Sequence, residues 1–492
     1  MNNLIDIEII KRNSRSINVK LTELKLQKSI SDNPKFVQKE KNRSIPIIKA
    51  KEIYKQIKDD NKVEFTECAM EDFSVKELQQ SYESSAKKQF NLSKLTMKRC
   101  IFVLSKSNDN FEHDLSNCTI QNIDFSGSIF LDGFTNFQKS TFESSKICFT
   151  KVVFEYPILF DYTIFKNCDV SFSSAKFNNG KNTFVKTQFI KSSVSFEHSI
   201  INNGYHQFNV SKFVQSEILF NNADYDKSII EFFDCNIDED TSLSFYRSKL
   251  GSLIFNNLTI KNVINLDFDS CSKLIIKSSL ILGSVKFPQS HTLDGLLIRN
   301  LDVVGQIIVN WDAKYLNHLI YDNDSLIDSK LHPFLIFKEA YRKLGYYDRE
   351  DAAYIEYKRC ERKNQKRLFL NSINTKFKYL LRFPYYVLYF FKWLLFDVIG
   401  EFATNPKRVL FSYFIIFLIF GAIYTVFPSL MYSKCDIEKN GFYYSIITML
   451  TIGYGDIRPD GLLAQILSGL QGFLGLFLMA YFTIAFSRKI LR

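Results

Sequence analysis

The sequence predicts a two-part chain: a β-solenoid across residues 96–312 and an all-α membrane segment across residues 406–492. Three observations carry that prediction. Large apolar residues recur from Phe125 with steps alternating between five and seven. Two uncharged stretches, Val409–Leu430 and Leu462–Phe486, are long enough to cross a bilayer. Between them stands Thr451-Ile452-Gly453-Tyr454-Gly455-Asp456, in which glycine alternates with bulkier residues.

The first 95 residues are polar and Lys-rich, and they lack the apolar run of a secretory signal. They read as a partly flexible region with a possible solenoid cap, held in the cytosol. The chain has 492 residues, 48 Phe, 25 Tyr, nine Cys and a net charge of +11. No two cysteines form a CxxC pair, which argues against a zinc site or a disulfide framework. Buried reduced thiols are expected, with Cys435 alone on the outer side.

The repeat series runs Phe125, Phe130, Phe137, Phe142, Phe149, Phe154, slips by one residue, and resumes at Phe160, Phe165, Phe172, Phe177, Phe184 and onward to Ile237. A helix cannot sustain this pattern, because a 12-residue period drifts around a 3.6-residue turn. Two residues before every second member except Phe154 stands a small residue: Ser128, Ser140, Thr163, Ala175, Thr187, Ser199, Ser211, Ala223, Cys235. That pairing resembles the pentapeptide-repeat family. The resemblance implies a right-handed quadrilateral β-solenoid with both residues inside a narrow bore. Four faces of five, seven, five and seven residues give a 24-residue coil; a triangular 12-residue coil is the alternative. Gly283 and Gly305, 22 residues apart, mark last coils expected to be wider. Some members of that family are acidic mimics of DNA. Here Ile101–Asn310 holds 18 basic and 22 acidic residues, too near neutrality to imitate a duplex, and no nucleic-acid partner is expected.

Residues 313–383 form a helical linker in this reading, with a hairpin over 338–367 broken at Gly345. The arrangement resembles the linker of pentapeptide-repeat proteins fused to an ion-channel pore. Its basic end, Lys358 to Arg382, carries nine Lys or Arg against Glu361 alone. Arg362, Lys363, Lys366, Arg367, Lys376, Lys378 and Arg382 are candidate contacts for anionic lipid headgroups, at about 1 kcal/mol each near the surface. Residues 384–405 read as an interfacial amphipathic helix anchored by Trp393. Its apolar part, Tyr385–Gly400, is short and holds Lys392 and Asp397, which disfavours a third span.

As helices the two apolar stretches reach roughly 33 and 37 Å, against a hydrocarbon core of about 30 Å. Lys407 and Arg408 precede the first; Arg488, Lys489 and Arg492 follow the second. Both ends are therefore expected in the cytoplasm of a multi-pass protein of the cell (inner) membrane. Gly441–Leu450 is apolar but too short to span, so it reads as a re-entrant helix that delivers Thr451.

Residues 442–459, FYYSIITMLTIGYGDIRP, resemble the pore of two-transmembrane potassium channels, and the likeness extends over Pro406–Arg492. It implies that carbonyls of Thr451, Ile452, Gly453, Tyr454 and Gly455 bind K+ in a homotetramer, because one subunit supplies a quarter of the filter. Tyr443, Tyr444 and Asp456 would support the filter, Tyr454 packing on the two tyrosines. Gly475 would be a gating hinge, and Gly469 and Gly472 packing glycines. Leu450 and Ile447 depart from the family pattern. K+ is the permeant ion and no cofactor is expected. Anionic lipids, further copies of the chain and an unknown cytoplasmic ligand or protein are the expected partners. No Arg-rich voltage-sensor segment, dinucleotide motif or catalytic motif is present, so voltage sensing, a nucleotide-binding ring and enzyme activity are not expected. The competing reading is a membrane-anchored scaffold whose pore is vestigial.

Overall fold

A computed structural model describes residues 6–12, 16–27, 35–49, 53, 62–74, 90–105, 111–323, 327–372, 379–433 and 440–491. The chain divides into two compact units, Met1–Ser325 and Leu326–Arg492.

The first unit is a β-solenoid of about 10 turns over residues 47–308. Phe165 pairs in parallel register with Phe189, and Phe189 with Phe213, each 24 residues on. Each regular coil supplies four short strands, as in Ile164–Lys166, Asp169–Ser171, Lys176–Phe177 and Gly180–Thr183. The four-faced coil is therefore realised and the triangular one is not. The slip in the Phe series is one shortened coil, in which Phe142 pairs with Phe165 only 23 residues later.

The rings stack along the bore. Phe172, Phe196 and Phe220 follow one another with centroids 4.8 Å apart and interplanar angles of 5° and 4°. Burying one such ring stabilises by about 1.5–3 kcal/mol, and the aromatic pair adds about 0.5–1.5 kcal/mol. The small residues do more than make room. Ser140 Oγ donates to the Leu115 carbonyl at 2.9 Å, Thr163 Oγ1 to Phe137 at 2.8 Å and Thr187 Oγ1 to Phe160 at 2.8 Å. Each buried hydroxyl thus finds an acceptor on the preceding coil, where an unpaired hydroxyl would be costly.

Two expectations change. The solenoid begins near residue 47, not 96: Ile47 pairs with Ala69, Ala69 with Ile101, and Ile101 with Ile129. These first coils use Val63, Met70, Leu95 and Cys100 in their interior, so the Phe series does not mark them. Ahead of them, Ser16–Gln27 pairs antiparallel with both Asp6–Arg12 and Lys35–Lys49. The last coils are also shorter, not wider. Leu253 pairs with Leu274 and Leu274 with Leu296, spacings of 21 and 22 residues. In these coils Lys249–Asn256 and Ser270–Lys277 run as single strands where the earlier coil has the two strands Ile200–Ile201 and Gly204–Asn209. Helix α1 (Ala313–Asn323) then belongs to this unit: Tyr315 Oη donates to the Leu293 carbonyl at 2.6 Å, and buried Trp311 stands just before it.

The second unit is helical. Helices α2 (Ile327–Lys343) and α3 (Tyr347–Ser372) form the expected hairpin, with Gly345 at φ +75° in its turn. Helix α4 (Tyr379–Lys392) continues into a π-helical segment, Trp393–Ile399. A left-handed turn follows at Glu401, Phe402 and Ala403. Helix α5 (Pro406–Val426) starts with Asn405, whose side chain accepts from Arg408 N at 3.2 Å, and with Pro406 at its first position. After α6 (Gly441–Met449) comes α7 (Gly461–Ile490). Helices α5 and α7 are long and apolar enough to cross a membrane, with mean hydropathy 2.4 and 1.7. The segment before α5 presents Leu388, Phe390, Phe391 and Phe396 to its surroundings but buries Asp397.

Candidate functional site: the re-entrant loop and its braces

Helix α6 is seated at its start by Asn440, whose side-chain oxygen accepts from Phe442 N and Tyr443 N at 3.1 Å each. Its end runs directly into the candidate filter: Leu450 N donates to Ile446 O and Ile452 N to Ile447 O, both at 2.9 Å. In the following residues φ is positive at alternate positions, 56° at Thr451, 59° at Gly453 and 79° at Gly455. The glycines accept this conformation readily, whereas a β-branched threonine there is strained by about 1–3 kcal/mol. An added Cβ at Gly453 or Gly455 would meet no atom within 4 Å, so the backbone conformation, not crowding in the chain, calls for glycine.

The loop is fixed at its outer edge. Tyr443 Oη donates to Asp456 Oδ2 at 2.6 Å, and Ile457 N donates to Asp456 Oδ1 at 2.9 Å. Beyond it, Ile457–Pro459 pairs antiparallel with Met431–Ser433. The expected packing of Tyr454 on both supporting tyrosines is absent within one chain. Tyr454 is 70% exposed, whereas Tyr444 is 3% exposed and packs between the two long helices. There its ring meets Tyr424 edge-on at 4.8 Å, and its hydroxyl lies 2.8 Å from Ser468 Oγ. A partly polar Tyr finds its hydrogen bond on α7, which draws it away from the loop.

Sequence reasoning missed the polar tie behind α6. Fully buried Gln471 donates through Nε2 to Ser445 O at 3.0 Å and to Ser445 Oγ at 2.6 Å. Ser445 Oγ in turn donates to Phe417 O at 3.0 Å, so α5, α6 and α7 are joined at one point. The available signal was a Gln in a long apolar stretch, one of two there with Gln465. Ile447 is buried in an apolar cluster with Phe420, Tyr424 and Ile457, where an apolar side chain fits.

Gly475, expected as a gating hinge, packs closely on α6. A Cβ there would lie 2.2 Å from the Met449 carbonyl oxygen, and α7 continues through this position. Close packing on the end of α6 accounts for the glycine. At Gly472 the nearest atom would be 3.6 Å away, and at Gly469 nothing lies within 4 Å. Within one chain the close helix approach is made at Gly475.

The basic segment is also divided. Arg362 pairs with buried Asp397 at 2.9 Å and lies over the Tyr389 ring at 5.5 Å. Lys366 stands over Tyr386 and Tyr389 at 5.2 and 4.8 Å. These two cations are engaged within the unit. Lys363 is an exposed residue of α3. Arg367 lies on α3 and is half-buried. Lys376, Lys378, Cys435 and Arg492 lie outside the described residues, as does the side chain of Arg382 on α4. The eight other cysteines are free thiols.

Residues 412–492 match the family model Ion_trans_2, described as ion channel. No curated protein matches the chain. With two apolar helices flanking the re-entrant loop, the C-terminal segment of this membrane protein is an ion channel domain, joined in one chain to an N-terminal β-solenoid.

Proposed function

We propose that the protein is a potassium-selective channel that works as a homotetramer and is regulated through its cytoplasmic solenoid. The observation that carries this reading is the alternation of positive φ at Thr451, Gly453 and Gly455 directly after a re-entrant helix. Such backbone allows successive carbonyls to face one axis, and a ring of them replaces the hydration shell of an ion. One chain leaves Ile452 and Tyr454 uncovered, as a filter completed by neighbouring subunits requires. The segment sits in the cell membrane with both termini in the cytoplasm, K+ passes down its gradient, and no cofactor or catalytic step takes part. Exposed basic side chains of the linker, Lys363 among them, meet anionic lipid.

Purified protein in liposomes tests the proposal. The expected result is potassium flux that exceeds sodium flux and is abolished by Gly453→Ala, whose Cβ opposes the positive φ. Absence of flux, or flux unaltered by Gly453→Ala, would favour the scaffold reading. A monomer or dimer by native mass measurement would exclude a fourfold filter.

A further inference from the structure

The cytoplasmic ends of both candidate spans are tied to the same helix, α3. At the end of α7, Arg488 Nη2 pairs with Asp351 Oδ1 at 2.9 Å, and its guanidinium lies over the Tyr354 ring at 4.6 Å. Lys489 reaches Asp348 at 3.0 Å and Asp351 at 3.9 Å. Asp348 stands in the opening turn of α3, where the helix dipole favours carboxylates, and Asp351 follows three residues later. Farther along α3, Arg359 and Arg362 pair with Asp397 from two sides, each at 2.9 Å. Asp397 lies in the π-helical segment that leads into α5. The side chains of Asp351 and Asp397 are only 9% and 7% exposed, so neither anchor is a fully solvated surface pair.

Spacing makes these anchors a device. Asp351 and Arg359 are eight residues apart, about 12 Å along a helix, and Arg362 is about 16 Å from Asp351. A continuous helix does not shorten, so α3 fixes the separation of the two attachment points. The left-handed turn at Glu401–Ala403 separates the Asp397 anchor from α5, and an Arg408–Glu401 ion pair spans that turn. Phe396 also meets Tyr481 of α7 edge-on at 6.2 Å. Displacement of α3 therefore reaches the inner end of α7 by a direct ion pair and the start of α5 by a hinge-like turn.

We propose that α3 is a strut that sets the inner end of the pore, with Asp351 and Arg488 as positioning residues whose ion pair holds α7 in one of two gating positions. This rests on the channel reading above. In chain order α3 stands between the solenoid and the pore, and its ion pairs reach the ends of both candidate spans.

The test is a charge-exchange cycle in the full chain reconstituted in vesicles. Asp351→Arg and Arg488→Asp are each expected to change the open probability at least about fivefold, the lower bound of ordinary coupling between sites. The double exchange is expected to return it to within about twofold of the original. A purely structural pair would lower the yield or melting temperature of each single variant without this reciprocal change in gating. Independently of conduction, Asp351→Cys with Arg488→Cys should cross-link within one chain with a short bifunctional thiol reagent. A conducting protein that fails to cross-link overturns the strut alone, as do single variants within about twofold of the original or a double exchange that restores nothing. A protein that cross-links but passes no potassium overturns the channel reading and the gating role together.

Discussion

Alanine at Gly475 would place a methyl carbon 2.2 Å from the Met449 carbonyl oxygen and 2.9 Å from Met449 Cγ. A relaxed contact needs roughly 1 Å more, so α6 and α7 must part or tilt there. Overpacking of this kind costs about 1–3 kcal/mol, partly offset by the better helix propensity of alanine, about 1 kcal/mol. The net loss expected is up to about 2 kcal/mol. Gly472→Ala is the matched control, since its methyl would sit 3.6 Å from the Thr448 carbonyl in ordinary contact. It gains the propensity term without the clash and should be neutral or slightly stabilising. Thermal unfolding of the reconstituted or detergent-held protein reads the first quantity, and potassium-to-sodium flux ratio reads the second. Because Met449 lies two residues before Thr451, Gly475→Ala is expected to lower both melting temperature and flux ratio. If Gly475→Ala melts like the parent and changes only the open probability, the packing argument is wrong and the hinge assignment returns.

Two other variants probe different levels of the molecule. His206 is fully buried among Phe177, Phe184, Phe196 and Tyr225, and burial pushes its pKa down to about 3. A depressed folded pKa means that the neutral form's stability is present above about pH 6.5 and is lost as pH falls toward 3. At pH 5 this loss is about 2 kcal/mol, and His206→Phe should remove it, visible as a smaller drop in solenoid melting temperature between pH 7.5 and 5. An identical drop in parent and variant would refute the linkage. Tyr443→Phe removes the donor to Asp456; liposome flux should show weaker discrimination against sodium, and an unchanged ratio would show that this bond does not hold the loop.

What could be read from the chain follows the range of the interactions. The Phe ladder and its small partners are periodic, and a periodic core writes itself into spacing, down to the one-residue slip that becomes a 23-residue coil. The hexapeptide is legible because positive φ at alternate sites demands particular residues over a few positions. The first coils escaped because Val63, Leu95 and Met97 bury as well as Phe without forming a conspicuous series. The ties made by Asp397, Asp351 and Gln471 escaped for another reason. Each joins residues remote in sequence, with Arg488 137 positions from Asp351, and no local pattern announces such a partner. Arg362 shows the converse: a cation counted toward a lipid-facing cluster also pairs with Asp397 inside the unit.

The in-register stacking of coils makes the solenoid a ruler. Neighbouring parallel strands are about 4.8 Å apart, so about 10 turns set a rod on the order of 45 Å long, graduated in single coils. Since Phe165, Phe189 and Phe213 occupy one ladder at steps of 24, whole coils can be added or removed without turning any face. Length and surface chemistry are thereby uncoupled. The reach of the solenoid can change by increments of one strand spacing while the residues shown on each face keep their address.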